Sequence, residues 1–448
     1  MTKVLAILCA AIGILVSVFM FPDGAVAVLL AAACSVVVVL IIQNGLEVRG
    51  AQETGFLLQV FLVALLIRIT LATLINVFNW SDFFGGDTFT YDSLGYRLVE
   101  IWSGQVSATS DFWSERAVSV SGSGWGMNYF VGFIYYAFGR NQLAVQFLDA
   151  VMGAATAFLV YLCAQKIFHN RRVSRTACLI VAFCPSLVIW SSNLLKDGPT
   201  IFLLVLVMVN VLYLLEKFSY LNLILLVFSL FGVLSLRFYI FYMVAMAVVG
   251  SFIIGTNNSI KSIVGRVAAI VTIGLVLTYF GVIKTASTDF DTFGSLERLQ
   301  ASRLDNAVKS NSGFGQDVDV GTAEGAVTFL PIGFSYLMLA PFPWTINNFR
   351  QLVTLPEMLV WWSSLPLLVT GLWYTIKNKL RSAIAILLFT FMLTISYSIF
   401  QGNVGTAYRQ RAQIQVFLFI FISLGWTLMQ EKKENQKLLR TANNRRFK

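Results

Sequence analysis

The sequence predicts an all-α polytopic membrane protein, and three observations carry that prediction. The chain is 57% hydrophobic and only 12% charged, whereas soluble domains run at about a quarter charged. Its mean hydropathy is +0.76. Apolar runs long enough to cross ~30 Å of hydrocarbon as helices recur along the whole length. No composition break marks off a soluble unit, so residues 1–448 read as a single integral membrane domain.

The apolar runs place about twelve spans near residues 3–21, 26–43, 56–78, 142–164, 176–194, 199–215, 219–235, 238–255, 267–283, 357–376, 383–400 and 412–429. Lys3 precedes the first run and Ala25-Val26-Ala27 resembles a cleavage site, but another span begins at once, so the first run reads as a retained helix. Short loops rich in Lys and Arg stay cytoplasmic. One orientation, with both termini cytoplasmic, puts inside Arg49, the Lys166 to Arg175 loop, Lys217, Lys261 with Arg266, the Lys377 to Arg381 loop and the basic tail 430–448. The same charge rule forbids residues 325–355 from crossing once. With Pro331, Pro341 and Pro343 they read as re-entrant or interfacial, within an external loop 284–356. Residues 127–139 are too short to span and rich in aromatics, and read as an interfacial helix on the external side. The basic loops fit a plasma (inner) membrane protein with its chemistry on the extracytoplasmic face.

Composition removes several function classes. The one histidine, His169, rules out a multi-histidine metal site and a Ser-His-Asp triad within one chain. The five cysteines all lie in apolar segments without metal-ligand spacing. The net charge of +10 follows from the basic inner loops, and the chain has no folded basic domain for nucleic acid.

The external loop 79–140 carries the most informative stretch. Trp80 to Asp92 packs Asp82, Asp87 and Asp92 with Gly85 and Gly86 directly after a span, and Tyr91 lies one helical turn beyond Asp87. The same topology brings Lys196 and Asp197, Arg237, and Arg409 with Arg411 to that face from three further external loops. Arginines and a lysine stabilise the charge that grows on a lipid phosphate as its glycosidic bond breaks. A carboxylate at the membrane surface takes the proton of an acceptor hydroxyl. Asp87 is the candidate catalytic acid residue. Asp82, Tyr91, Asp92, Lys196, Asp197, Arg237, Arg409 and Arg411 are candidate substrate-binding residues, and a divalent cation held by the carboxylates is possible. Arg68 and Asp149, both about 10–15 Å deep by helical rise, are expected to pair across adjacent spans.

A span followed by an external loop reading Gly86-Asp87-Thr88-Phe89-Thr90-Tyr91 resembles the GT-C class of membrane glycosyltransferases, such as the protein mannosyltransferases and the aminoarabinose transferase of lipid A. The resemblance covers mainly residues 56–255. It implies a polyprenyl-phosphate-linked sugar donor, a glycan, lipid or protein acceptor, an essential acid at Asp87, and a basic-acidic pair at Lys196-Asp197. Thr88 departs from the Asp-Glu common in the class, and two spans precede the loop-bearing helix where one is usual. An O-antigen or exopolysaccharide polymerase, gripping lipid diphosphates through Arg409 and Arg411, and a lipid-linked sugar transporter remain as alternatives. Residues 284–324 then serve as a lid over the site or as a linker with a short helix at 295–299.

Overall fold

Without water in the bilayer core a backbone must satisfy its own hydrogen bonds, so the apolar runs fold as helices. The computed structural model describes residues 18–19, 21, 23–44, 50–84, 87–254, 260–279, 295–308, 310, 312–346 and 349–446. The first expected span and the Gly85-Gly86 turn lie largely or wholly outside these residues. The helices are α1 (Gly24–Asn44), α2 (Ala51–Val77), α3 (Ser81–Phe84), α4 (Asp87–Trp102), α5 (Phe112–Val118), α6 (Trp125–Phe138), α7 (Gln142–Phe168), α8 (Arg171–Phe183), α9 (Pro185–Trp190), α10 (Asp197–Glu216), α11 (Tyr220–Leu236), α12 (Phe238–Ile254), α13 (Ile260–Tyr279), α14 (Leu296–Val308), α15 (Ala323–Leu339), α16 (Phe349–Asn378), α17 (Leu380–Phe400) and α18 (Val404–Arg446). Seven of them, α1, α2, α7, α10, α16, α17 and α18, are long and apolar enough to cross a membrane, and α11, α12 and α15 are shorter apolar helices. This is a multi-pass, all-helical membrane protein. α7, α10 and α18 form its centre and α1 and α16 its periphery.

The fifth expected span, 176–194, is broken. Cys184 takes an extended conformation, and Pro185 opens α9 without an N–H to donate. The break leaves a donor and an acceptor to be satisfied. Ser186 N–H donates to Glu357 on α16 at 2.8 Å, while Arg68 on α2 donates to the Ala182 carbonyl at 2.9 Å and to Ser191 Oγ at 2.8 Å. The expected Arg68–Asp149 pair therefore does not form. The freed carbonyl claims the guanidinium, and among the described residues both Asp149 oxygens are buried without a hydrogen-bond partner. Gly153 gives Arg68 and Ser191 their room, since a Cβ there would stand 2.3 Å from Ser191 Oγ.

Residues 284–294 of the expected lid or linker lie outside the described residues, and the described residues between 295 and 322 are tied into the fold. Buried Arg303 donates to the Gly315 carbonyl at 2.7 Å and to that of Val318, and stacks 4.5 Å from the Phe329 ring. Phe314 N–H donates to the Gly402 carbonyl at 2.8 Å and Val404 N–H to that of Ser312 at 3.0 Å, which pins this segment at the start of α18. Within the segment expected at 325–355, α15 runs to Leu339, a 3-10 turn spans Pro343–Thr345, and α16 begins at Phe349. The helix expected at 127–139 is α6, which spans Trp125–Phe138.

The two ends of the bundle differ in charge. Where α2 begins and α7 ends, Glu53 meets Arg175 at 2.9 Å and Arg171 at 3.8 Å, and Arg172 holds Glu434 of the extended α18 tail at 2.9 Å. Asp87 and its partners lie at the other end. α16 and α18 touch backbone to backbone: a Cβ on Gly371 would come 1.9 Å from the Phe421 carbonyl oxygen, and one on Gly425 2.1 Å from that of Leu367. Gly371→Val and Gly425→Val are each expected to destabilise the protein by about 1–3 kcal/mol through overpacking. Gly274→Val, whose Cβ meets nothing within 4 Å, should be neutral. Denaturant titration in mixed micelles measures this, and equal stability of all three variants would contradict the close contact.

Candidate active site

The site grows from the start of α10. Asp197, the first residue of α10, is buried, and an acid at this position is favoured by the helix dipole. Its two oxygens are divided between two arginines from distant parts of the chain. Oδ1 accepts from Arg237 Nη2 at 2.5 Å, and Oδ2 accepts from Arg409 Nε at 2.5 Å. Arg237 sits at the junction of α11 and α12, where its other arm donates to Tyr239 Oη at 2.6 Å. Arg409 lies in the first turns of α18, 5.8 Å from the Trp190 ring centroid. It reaches on to Asp87 Oδ2 through Nη1 at 2.9 Å. Four chain segments thus meet in one chain of charge: Asp87, Arg409, Asp197, Arg237.

α4 begins at Asp87, so Tyr91 falls one turn on, and both line a cavity of about 610 Å³ together with Lys196, Trp125 and Asn128. Thr88 is buried and donates to Asn193 Oδ1 at 3.3 Å, which ties α4 to the turn before α10. Lys196 and Asp197 do not pair with each other. Asp197 faces the arginines, while Lys196 Nζ turns into the cavity and donates to Ser123 Oγ at 3.2 Å. Burial first, and then the neighbouring Arg237, bring the Lys196 ammonium down to about 8. The Tyr91 phenol is pushed up by burial and by the fields of Asp87 and Asp197, so it stays protonated. Gly124, with φ of 96°, is required here. A Cβ would lie 3.0 Å from Tyr91 Oη and 3.2 Å from Lys196 Nζ.

Three of the candidate residues go elsewhere. Asp92 accepts from Tyr135 Oη at 2.6 Å and pairs with Arg140, locking α4 onto α6 and the turn that follows it. Asp82 is exposed in its side chain, and its carbonyl accepts from Arg350 at 2.8 Å, which fastens α3 to α16. Arg411 is fully buried and donates to the carbonyls of Met338 at 3.1 Å and Ala340 at 2.8 Å, satisfying the carbonyl end of α15. It is two residues beyond Arg409 but committed to packing.

Glu357 was not among the candidates, although a lone acid at the edge of an apolar span is itself a signal. It accepts from Tyr408 Oη at 3.0 Å as well as from Ser186 N–H, so it joins the broken helix to the residue beside Arg409. Among the described residues no three His, Cys, Asp or Glu side chains gather to hold a metal ion. Asp87 and Asp197 are bridged by the Arg409 guanidinium, which occupies the place a cation would take between them. Arg237, Arg409 and Lys196 outnumber Asp87 and Asp197, and that excess of positive charge suits an anionic group. Asp197→Asn leaves Arg237 buried without a counter-charge and is expected to cost about 3–5 kcal/mol. Thermal unfolding in detergent should show the loss partly recovered in Asp197→Asn with Arg237→Gln. An unchanged melting temperature for the single variant would contradict the bridge.

Comparison with known proteins agrees with this architecture. Residues 124–281, which contain Lys196, Asp197 and Arg237, match the family model of the dolichyl-phosphate-mannose-protein mannosyltransferases. The archaeal oligosaccharyltransferase AglB from Archaeoglobus fulgidus, solved with an inhibitory peptide and a dolichol-phosphate, superposes with a TM-score of 0.53 at 14% identity, covering 88% of this chain and 52% of that one. ArnT from Cupriavidus metallidurans bound to undecaprenyl phosphate gives a TM-score of 0.43 at 13% identity, covering 78% of this chain and 57% of that one. The chain spans about half the length of these solved structures. No curated protein matches its sequence. The chain has the fold of a GT-C membrane glycosyltransferase, and over residues 124–281 it is similar to the dolichyl-phosphate-mannose-protein mannosyltransferases.

Proposed function

We propose that this protein transfers a sugar from a polyprenyl-phosphate donor to an acceptor hydroxyl on the extracytoplasmic face of the plasma membrane, in the synthesis of a cell-surface polysaccharide or glycoconjugate. The observation that carries the reading is the placement of Asp87 on the wall of the cavity while its Oδ2 is held by Arg409, one member of an arginine pair on buried Asp197. Arg171, Arg172 and Arg175 at the opposite end of the bundle support a cytoplasmic location for that end and for both termini.

The geometry supplies each part of a displacement. The donor phosphate binds against Lys196 and Arg409 at the edge of the bundle, with buried Arg237 behind them on Asp197, its prenyl chain in the bilayer. The acceptor oxygen attacks the anomeric carbon as Asp87 takes its proton. The bond from that carbon to the phosphate oxygen breaks, and its electron pair stays with the phosphate. The growing negative charge is met by cations already fixed in place, so little reorganisation accompanies the step. Tyr91 remains a neutral donor toward the same phosphate. Arg411, turned to carbonyls, contributes no second cation, which removes the arginine pair that favoured a polymerase.

Asp87→Asn is expected to lower sugar transfer from polyprenyl-phosphate donors by at least ~100-fold while polyprenyl phosphate still binds. Transfer assays with purified protein in nanodiscs measure this, and full activity in the variant would remove Asp87 as the base. Lys196 should give binding a pH dependence. Its charge is present below about 8 and lost above it, so affinity for polyprenyl phosphate should fall as pH rises through that value. In Lys196→Arg, which stays charged, the profile should be flat. A wild-type profile without a decline would exclude Lys196 as a phosphate ligand.

A further inference from the structure

Helix α4 has two working faces. Asp87 and Tyr91 point into the cavity already described, and on the other side Phe89, Tyr96, Arg97 and Glu100 line a second cavity of about 450 Å³ with Trp113 and Arg140. Thr90 and Leu94 line both, so the two cavities adjoin along one helix. Their electrostatics differ. Arg97 is paired with Glu100 at 2.9 Å and with Asp111 at 2.8 Å, and Arg140 is paired with Asp92 and lies 4.8 Å from the Tyr96 ring centroid. This cavity therefore presents paired, planar hydrogen-bonding groups, where its neighbour presents Lys196 bonded to a hydroxyl rather than to a carboxylate, beside Asp87, Glu115 and Arg116.

Two large aromatics stand open on this wall, Phe89 at 51% and Trp113 at 53% exposure. They are held rigidly. Asp111 caps α5 by accepting from Ser114 N–H at 2.9 Å and is itself gripped by Arg97, and Leu94, Leu98 and Ala117 form a small core between α4 and α5. An exposed aromatic on a fixed element, ringed by carboxylate and guanidinium forks, is the chemistry that recognises a sugar ring: the apolar face stacks and the hydroxyls take the forks. Arg116 adds a guanidinium 5.8 Å from the Trp113 ring centroid.

We infer that the cavity of Phe89, Tyr96, Arg97, Glu100, Trp113 and Arg140 is the acceptor subsite, and that the acceptor is a glycan whose ring stacks on Trp113 and Phe89 and whose reactive hydroxyl passes over Thr90 to Asp87. This rests on the transferase reading and names the acceptor class for it. The volume suits a small ligand or a terminal sugar unit of a chain.

The full-length protein in nanodiscs is applied to an array of defined oligosaccharides of neutral and N-acetylated hexoses, and polyprenyl phosphate binding is measured on the same preparations. Wild type and Asp87→Asn should bind the same oligosaccharides. Trp113→Ala and Phe89→Ala should each weaken that binding by about tenfold or more, and Trp113→Tyr should stay within about twofold. All variants should keep polyprenyl phosphate affinity, which excludes misfolding. Absence of oligosaccharide binding by wild type, or binding that Trp113→Ala and Phe89→Ala leave unchanged, would overturn the inference. So would loss in Trp113→Ala of peptide or vesicle binding instead. Oligosaccharide binding through Trp113 in a protein that binds no polyprenyl phosphate would sink the transferase reading and leave this subsite standing.

Discussion

The contact on which the rest of the site depends is the division of one buried carboxylate, Asp197, between Arg237 and Arg409. A buried charge is tolerated only when it is fully paired, so this acid fixes where three separate parts of the chain must come together. α10 must begin at it, the α11–α12 junction must bring Arg237, and α18 must present Arg409. Arg409 then passes the constraint on to Asp87, at the start of α4. Asp87, the proposed base, is thereby positioned from the interior outward.

The broken helix ahead of α10 belongs to the same construction. A continuous span over 176–194 would carry Trp190 and Asn193 on a straight rod. The break at Cys184-Pro185 instead turns the chain so that Trp190 lies beside Arg409 and Asn193 beside Thr88. Breaking a helix inside a membrane strands backbone groups, and two charged side chains from other helices, Arg68 and Glu357, satisfy them. Glu357 also holds Tyr408, so relief of the break and placement of Arg409 share one residue. α4 then separates two environments, the cavity of Asp87, Tyr91 and Lys196 proposed for the donor and the charge-paired aromatic one proposed for the acceptor.

Much of this was legible in the sequence because membrane helices write themselves as apolar runs. Eleven of the expected spans coincide with helices or pieces of helices among the described residues. Asp87, Lys196, Asp197, Arg237 and Arg409 stand out because charge at the end of a span is rare enough to read, and Tyr91 follows from its one-turn spacing to Asp87. What the sequence did not disclose was which partner each charge would choose. Asp92 and Arg411 carry the same residue types in the same loops as the site residues, yet Asp92 goes to Tyr135 and Arg140, and Arg411 goes to the end of α15. Arg68 and Asp149 sit at matching depths, yet the carbonyl freed by the break at Pro185 takes the guanidinium. Such choices are made by tertiary geometry. Local spacing contains no record of them.

The most direct test of the account is photocrosslinking of the full-length protein in nanodiscs with a polyprenyl phosphate carrying a diazirine on the first isoprene unit, followed by peptide mapping. The account predicts adducts on the segments around Lys196, Arg237 and Arg409, competed away by unlabelled polyprenyl phosphate and lost when Arg409 is replaced by Ala. Adducts concentrated instead around Arg171 to Arg175 at the opposite end of the bundle, or adducts that ignore competitor, would contradict a lipid-phosphate site beside Asp87.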